Sequence, residues 1–129
     1  MDFYKRAFGA KERLRMADPS GRVMHAEMEI GAGVIMLTEE CPQMSFHSPL
    51  HFGGSSTIIH CYVPDVDTFA AQAEAAGATI LKPVATQFYG DRSVSLKDPF
   101  GHLWNFSTHV EDVSHEEMQR RAAALFGGG

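Results

Sequence analysis

Alternation of apolar and polar residues along much of the chain predicts β-strands, and residues 22–30 show it most clearly. One face of this predicted strand carries Met24, Ala26, Met28 and Ile30. The other face carries Val23, His25, Glu27 and Glu29. A repeat of two residues is typical of a strand that buries one face. By the same reasoning, further strands are predicted over residues 11–17, 34–37, 57–63 and 78–84.

Helical signals separate these strands. Helices are predicted over residues 2–9, 66–76 and 114–125. Asp65 is the predicted N-cap of the second helix, because its carboxylate can accept the first free backbone N–H groups. Ser114 and Glu117 have the spacing of a capping box at the start of the third helix. The predicted buried face of that helix consists of Met118, Ala122 and Leu125.

Residues 86–109 predict a loop followed by a β-hairpin. The turn is Asp98-Pro99-Phe100-Gly101, in which Pro presets φ, Asp bonds the local backbone and Gly closes the turn. The same turn chemistry occurs at Asp18-Pro19-Ser20-Gly21. On the first strand of the hairpin one face carries Arg92, Val94 and Leu96. On the second strand Leu103, Asn105 and Ser107 alternate with Trp104 and Phe106, which we expect to pack beneath the helices.

The chain repeats itself at an offset of 68 residues. Ala7-Phe8-Gly9-Ala10 matches Ala75-Ala76-Gly77-Ala78, and Gly33 matches Gly101. Each half is a helix followed by three strands, and one more strand precedes the second half. The repeated unit is therefore a βαβββ module in an α+β fold, and module one lacks its first strand. We expect the sheet edge beside that missing strand to be covered in a dimer or by a tail.

The length of the chain predicts a single domain over residues 1–129. Its parts are module one (1–38), a connecting loop (39–56), module two (57–109) and a C-terminal helix (114–125). The length of the loop is typical either of a linker or of a cover over a binding site. Both interpretations remain open from the sequence.

Charge and composition narrow the choice of partners. The net charge of −5 and the absence of a concentrated Lys/Arg cluster argue against nucleic acid. No apolar run reaches about 18 residues, so we expect no membrane partner. Cys41 and Cys61 show no metal-type spacing, and no N-terminal signal peptide is visible. A cytoplasmic location is expected.

The hairpin turn and the repeated module resemble the vicinal oxygen chelate superfamily (glyoxalase, bleomycin-resistance protein, extradiol dioxygenase), and most of all its PhnB-like branch. The resemblance extends over nearly the whole chain and is most specific over residues 57–109. It implies two βαβββ modules that form an open, incomplete barrel around a concave site.

In metal-dependent members, the first and last strands of both modules supply His, Glu or Gln ligands to one divalent ion. By this resemblance, the available positions are Met36 or Leu37, His60 and Asn105, and the first strand of module one is missing. Thioether and aliphatic side chains do not bind hard cations. We therefore expect no cofactor. The alternative is one divalent metal ion held by His60 with His25 or Glu27.

A small-molecule ligand demands less of the site than a metal does, because concave sites hold ligands by stacking and a few polar contacts. The predicted ligand-binding residues are His25, His60, Tyr62, Phe88, Tyr89, Asp91, Arg92, Leu103 and Asn105. An alternative for the loop is that Asp91 simply pairs with Arg92 or with a neighbouring strand. The remaining histidines, including His109, are expected at the surface.

Three functions remain open at this stage, and the sequence assigns no catalytic residue. The first is a metal-free small-molecule binding protein that resembles the drug-sequestering members. The second is a metal-dependent lyase, isomerase or dioxygenase built around His60. The third is a metal-free acid–base enzyme that uses His60 or His25. A homodimer is expected in each case, with the last helix as a possible partner surface.

Overall fold

The computed structural model describes residues 1–127, and over these residues three α-helices and seven β-strands are present. In chain order they are α1 (Asp2–Phe8), β1 (Lys11–Ala17), β2 (Val23–Ile30), β3 (Gly33–Leu37), β4 (Ile58–Tyr62), α2 (Val66–Ala75), β5 (Thr79–Thr86), β6 (Asp91–Lys97), β7 (Leu103–His109) and α3 (His115–Phe126). The long connection between β3 and β4 contains two short 3-10 turns, Pro42–Met44 and Pro49–Phe52. No helix in residues 1–127 is long and apolar enough to cross a membrane.

The strands form two sheets whose connectivity confirms the repeated module. The second sheet has the order β4-β7-β6-β5, and β4 runs parallel to β7. The first sheet has the order β1-β2-β3 and is antiparallel throughout. Within residues 1–127, β3 pairs only with β2, so the first sheet has no counterpart of β4. The α+β plan with an incomplete first module is therefore correct.

Buried side chains of both sheets join those of α1 and α2 in one core. Its largest members are aromatic side chains of α1 and β7. The ring of Phe8 lies 4.8 Å from that of Phe106, and the ring of Tyr4 lies 5.6 Å from that of Trp104. Phe106 and Trp104 are at most 1 % exposed. The helix of module one thus packs directly on the sheet of module two, which couples the two halves.

The turn at Asp98 is part of this core. The Asp98 carboxylate is buried and accepts hydrogen bonds from the Tyr4 hydroxyl at 2.6 Å and from the Trp104 indole N–H at 2.9 Å. It also accepts the backbone N–H groups of Phe100 and His102. Burial, followed by the contact with Asp98, raises the pKa of the Tyr4 phenol well above its usual value. One carboxylate therefore ties α1 to both ends of the hairpin turn.

Three local predictions are wrong. Met24 is exposed and Val23 is buried, because the pairing of β1 with β2 shifts register between Met16 and Ala17 and changes the phase of the alternation. Leu125 is 63 % exposed, so α3 lies on the surface and has no buried residue. The loop before the hairpin is shorter than expected, since β5 continues to Thr86 and β6 already begins at Asp91.

Candidate functional site

The outer face of the second sheet, turned away from the core, carries a row of polar and aromatic side chains. Register pairs His60 with Asn105 and Tyr62 with Ser107 across β4 and β7. Residues paired in register project from the same face of a sheet. His60 and Tyr62 are exposed, and their ring centroids lie 5.1 Å apart. We call this surface, formed by His60, Tyr62, Leu103 and Asn105 with the buried Ser107 beside them, the open face.

Asn105 lies at the centre of the open face and is held by a serine on each side. Its amide N–H donates to the Ser95 hydroxyl at 3.2 Å, and its carbonyl oxygen accepts from the Ser107 hydroxyl at 3.2 Å. These contacts link β6 to β7 through side chains and fix the orientation of the amide. Asn105 is half-buried beside the exposed His60. The pair can offer both donors and acceptors to a ligand lying on the sheet.

At one end of the open face, four side chains form a hydrogen-bonded cluster. The Tyr62 hydroxyl donates to Asp91 Oδ2 at 2.7 Å, and His109 Nδ1 lies 3.0 Å from Asp91 Oδ1. His109 Nε2 lies 2.7 Å from Asp112 Oδ1. Because both imidazole nitrogens face carboxylates, this geometry suits the doubly protonated imidazolium. The hydrogen bonds to Asp112 and then to Asp91 raise the pKa of His109 above its usual value.

Asp91 differs from the rest of the cluster because it is buried, with only 5 % of its surface exposed. Its two oxygens accept from Tyr62 and His109, so the carboxylate has partners that compensate for burial. The hydrogen bond to Asp91 raises the pKa of the Tyr62 phenol. Of the alternatives for Asp91, the pairing with Arg92 is wrong, since Arg92 pairs with Asp67 from the opposite face of β6. The pairing with neighbouring strands is confirmed by the contacts with Tyr62 of β4 and His109 of β7.

Gly90 positions the segment that carries Asp112. Its carbonyl accepts the backbone N–H groups of Val110 and Glu111 at 2.9 and 3.0 Å. Gly90 has φ +98°, and a Cβ atom there would lie 2.1 Å from the Glu111 carbonyl oxygen. Only glycine therefore allows this close approach of the chain after β7 to the turn before β6. The contact folds residues 110–113 back over the end of the sheet.

A concavity of about 540 Å³ lies against this cluster, between the sheet, residues 110–113 and the start of α3. Its lining consists of Tyr62, Tyr89, Asp91, His109, Asp112, Val113, Ser114 and Met118. We call it the end cavity. Its volume falls in the range of about 300–1,000 Å³ typical of small-molecule sites. Tyr62 belongs both to the open face and to the end cavity, so the two are continuous.

The structure brings together only part of the predicted ligand-binding set. His60, Tyr62, Leu103 and Asn105 share the open face, and Tyr89 and Asp91 join at the end cavity. Arg92 points to the opposite face of β6 and pairs bidentately with Asp67 of α2 at 2.7 and 2.9 Å. Phe88 is not in the lining and lies against Phe126, with ring centroids 6.0 Å apart. His25 lies on the first sheet, where its Nε2 is 3.8 Å from Glu27.

His109 and Asp112 are site residues that sequence reasoning missed. A signal for His109 was present, because counting outward from the Asp98-Pro99-Phe100-Gly101 turn pairs Asp91 with His109 on one face. The observed register confirms that pairing. No comparable signal existed for Asp112, which reaches the site only because residues 110–113 fold back onto Gly90.

The side chains around His60 do not fit the metal of the metal-dependent relatives. Within residues 1–127 no group of three or more His, Cys, Asp or Glu side chains is placed to hold a metal ion. His60 is not brought together with His25 or Glu27, which lie on the other sheet. Its neighbour in register is Asn105, whose amide oxygen already accepts from Ser107. Catalytic zinc sites normally use three protein ligands.

Comparison with protein families gives a match over residues 1–106 to the model of the glyoxalase/bleomycin resistance protein/dioxygenase superfamily. Among curated proteins, the chain is 38% identical over 122 residues to an uncharacterized protein of Mycobacterium bovis, covering 92% of this chain and 80% of that protein. An uncharacterized protein of Mycobacterium tuberculosis strain H37Rv is also 38% identical, with 92% of this chain and 72% of that protein covered.

Among solved structures, TioX from Micromonospora sp. ML1 superposes with a TM-score of 0.65 at 28% identity, covering 88% of this chain and 87% of that one. The fosfomycin resistance protein FosX from Listeria monocytogenes, solved with Mn(II) and sulfate, superposes with a TM-score of 0.60 at 19% identity. That match covers 94% of this chain and 84% of FosX. At this identity it supports only a shared fold. The chain belongs to the glyoxalase/bleomycin resistance protein/dioxygenase superfamily.

Proposed function

We propose that this chain is a small-molecule binding protein of the glyoxalase/bleomycin-resistance type, in the PhnB-like branch, which holds its ligand on the open face without the superfamily metal. One observation carries the proposal. Where metal-dependent relatives place a ligating carboxylate, this chain has Asn105, whose amide is fixed between Ser95 and Ser107. A neutral amide in such a ladder is a hydrogen-bonding group for an organic ligand and a poor substitute for a metal-binding carboxylate.

The shape of the open face suits a flat ligand. Tyr62 and His60 offer adjacent exposed rings on which an aromatic or conjugated group can stack. Asn105 and His60 then supply polar contacts at the centre, while Ile58 and Leu103 offer apolar surface at the far end. A few fixed polar groups within apolar and aromatic surroundings are typical of small-molecule sites.

We further propose that two copies of the chain form the complete site. The outer face of the first sheet exposes Met16 at 57% and Met36 at 71%, and Ile58 on the second sheet is 61% exposed. Exposed apolar surface of this extent on two sheets is typical of an interface. A second copy that brings its first sheet over this open face would enclose the ligand and add His25 and Glu27 to the site.

That arrangement also defines the second candidate, a metal-dependent lyase, isomerase or dioxygenase. The observation in its favour is that His25 and Glu27 lie close together on one exposed face, with 3.8 Å between Nε2 and Oε2. In a dimer of the proposed kind they would approach His60 of the other copy. The manganese-bound FosX structure shows that a protein of this fold can hold such an ion.

Elemental analysis together with ligand screening distinguishes the two candidates. The purified protein is expected to contain no stoichiometric Zn, Ni, Mn or Fe after exposure to each metal. A fragment library observed by two-dimensional NMR is expected to shift signals of His60, Tyr62 and Asn105, and His60→Ala is expected to weaken those hits. Stoichiometric metal that is lost in His60→Ala would overturn the binding proposal in favour of the enzyme.

Asn105→Glu is the matched variant for this test, because it restores the carboxylate of the metal-dependent relatives at a half-buried position. It is expected to bind divalent metal more tightly than the wild type and to lose fragment binding at the centre of the open face. Equal metal content in both proteins would show that the residue at position 105 does not decide between the two functions.

A further inference from the structure

We propose that the end cavity binds the positively charged group of an organic ligand, a protonated amine or a quaternary ammonium, whose aromatic or apolar part lies on the open face. This inference names the ligand class of the proposed binding site and rests on that proposal. It is carried by the charge and chemistry of the lining residues.

The lining of the end cavity carries more negative than positive charge. Among its eight residues are Asp91 and Asp112, one histidine, and neither Lys nor Arg. With His109 as the imidazolium that its two short contacts favour, the lining keeps a net charge of about −1. If His109 loses its proton, the charge becomes more negative. In either state an anionic ligand is disfavoured and a cation is favoured.

The two carboxylates have different tasks in this site. Asp91 is buried and its oxygens accept from Tyr62 and His109, so it acts as a fixed negative charge and orients both side chains. Asp112 is fully exposed on the rim, and its Oδ1 accepts from His109. Its second carboxylate oxygen is therefore directed to solvent or ligand and can accept a hydrogen bond from an ammonium group.

The remaining walls suit the body of such a ligand. The rings of Tyr62 and Tyr89 line the cavity, and the faces of aromatic rings attract cations within about 6 Å of the ring centre. Val113 and Met118 supply apolar contact, and methionine adapts readily to irregular ligand shapes. Aromatic rings beside a carboxylate are the usual surroundings of bound quaternary ammonium groups.

The positive charges nearby do not reverse this preference. Arg121 is held by Glu111 at 2.8 Å and by Glu117 at 2.9 Å, and it is not part of the lining. The N-terminus of α3 would favour an anion, but the Ser114 hydroxyl already accepts the Glu117 N–H, and Glu116 in the first turn offsets the partial charge.

Three phenols of similar size but different charge test the inference at pH 7. They are tyramine (cation), 4-ethylphenol (neutral) and 3-(4-hydroxyphenyl)propionate (anion), each titrated against the intact protein and followed by NMR shifts of Tyr62, Tyr89 and His109. Tyramine is expected to bind at least about tenfold more tightly than 4-ethylphenol, and the propionate more weakly still. In Asp112→Asn the advantage of tyramine should fall severalfold while binding of 4-ethylphenol is kept.

Glu74→Gln is the matched control, since it removes the same unit of charge from an exposed site on α2 and should leave the tyramine advantage unchanged. Equal affinity for all three phenols, with shifts on the open face, would overturn the charge preference and leave the proposed binding function standing. A preference for the propionate, or an equal loss in Glu74→Gln, would also overturn it. The proposed function is judged separately by the metal analysis and the fragment screen.

Discussion

Asp98 and Asp18 occupy the same position in two turns of the Asp-Pro-x-Gly type, but their surroundings differ. Asp98 is buried and accepts hydrogen bonds from two buried side chains and two backbone N–H groups. Asp18 is half-buried at the rim of the first sheet, where its partners are Ser20 and Arg22. The turn chemistry is shared, but the additional partners differ. Asp98 contacts the buried Tyr4 and Trp104, whereas Asp18 contacts the Ser20 hydroxyl and the Arg22 guanidinium near the surface.

Asp98→Ala is therefore expected to destabilise the protein far more than Asp18→Ala. It leaves the Tyr4 hydroxyl and the Trp104 indole N–H buried without partners, each at a cost of about 1–3 kcal/mol. We expect a loss of about 3 kcal/mol or more in the free energy of unfolding for Asp98→Ala and of about 1 kcal/mol for Asp18→Ala. Urea denaturation with unchanged m-values is the measurement. Losses that agree within error would show that Asp98 contributes no more than the turn does.

At the same scale, the sequence predicted which side chains share the open face but not all of the bonds between them. Strand alternation placed His60, Tyr62 and Asn105 on one face, because side chains two residues apart share a face. Alternation does not show which side chains on neighbouring strands bond to each other. Counting outward from the hairpin turn pairs Ser95 with Asn105, as it pairs Asp91 with His109. The bond between Asp91 and Tyr62 joins β6 to β4, which no hairpin connects, so it could be identified only from the structure.

At the scale of elements, the turn before β6 and the segment after β7 act as one unit. The backbone N–H groups of Val110 and Glu111 donate hydrogen bonds to the Gly90 carbonyl and so join the segment to the turn. This contact lies between parts of the chain about twenty residues apart, and it shapes one wall of the end cavity. The geometry depends on the absence of a side chain at position 90.

Gly90→Ala is expected to displace residues 110–113 and to open the end cavity. The new Cβ would collide with the Glu111 carbonyl oxygen and approach Val113 at 3.0 Å. Gly21→Ala is the matched control, because Gly21 has a similar φ of +88° but nothing within 4 Å of the added atom. Hydrogen exchange at the Val110 and Glu111 amides should accelerate in Gly90→Ala by about tenfold or more and stay unchanged in Gly21→Ala. Equal exchange in both variants would refute the steric argument.

The sequence predicted helices and strands correctly where their pattern is local. The predictions failed where tertiary packing decides which face is buried. Period-two alternation and the Asp-Pro-x-Gly turns located the strands and the hairpin, because both depend on neighbouring residues. The phase of β2 was missed because a register shift against β1 exchanges the faces of Met24 and Val23. The spacing of apolar residues in α3 suggested a buried face, yet Leu125 remains 63% exposed in the described structure.

At the scale of the whole molecule, the inner faces of both sheets join α1 and α2 in one core, and the outer faces point away from it. In the proposed dimer each sheet would present one half of the ligand site, because the two outer faces belong to separate sheets of the described chain. The sequence predicted the two modules from the 68-residue repeat, and β5 and β6 do begin at that offset from β1 and β2. It could not show the relative placement of the modules, which depends on packing of α1 against the second sheet.

A homodimer that closes these half-sites is expected to depend on the outer faces of the sheets and not on α3. Met36 on β3 and Ile58 on β4 are 71% and 61% exposed, and burial of such a side chain contributes about 1.5–3 kcal/mol. A two-fold interface contains each contact twice, so Met36→Lys or Ile58→Lys should weaken the dimer by about 100-fold or more. Size-exclusion chromatography with light scattering over a concentration series measures the dissociation of the dimer.

Phe126→Lys is the control, since that residue is 79% exposed on α3. Dissociation caused by Phe126→Lys alone would place the interface on the helix, and a monomer at micromolar concentration for the wild type would contradict the dimer itself.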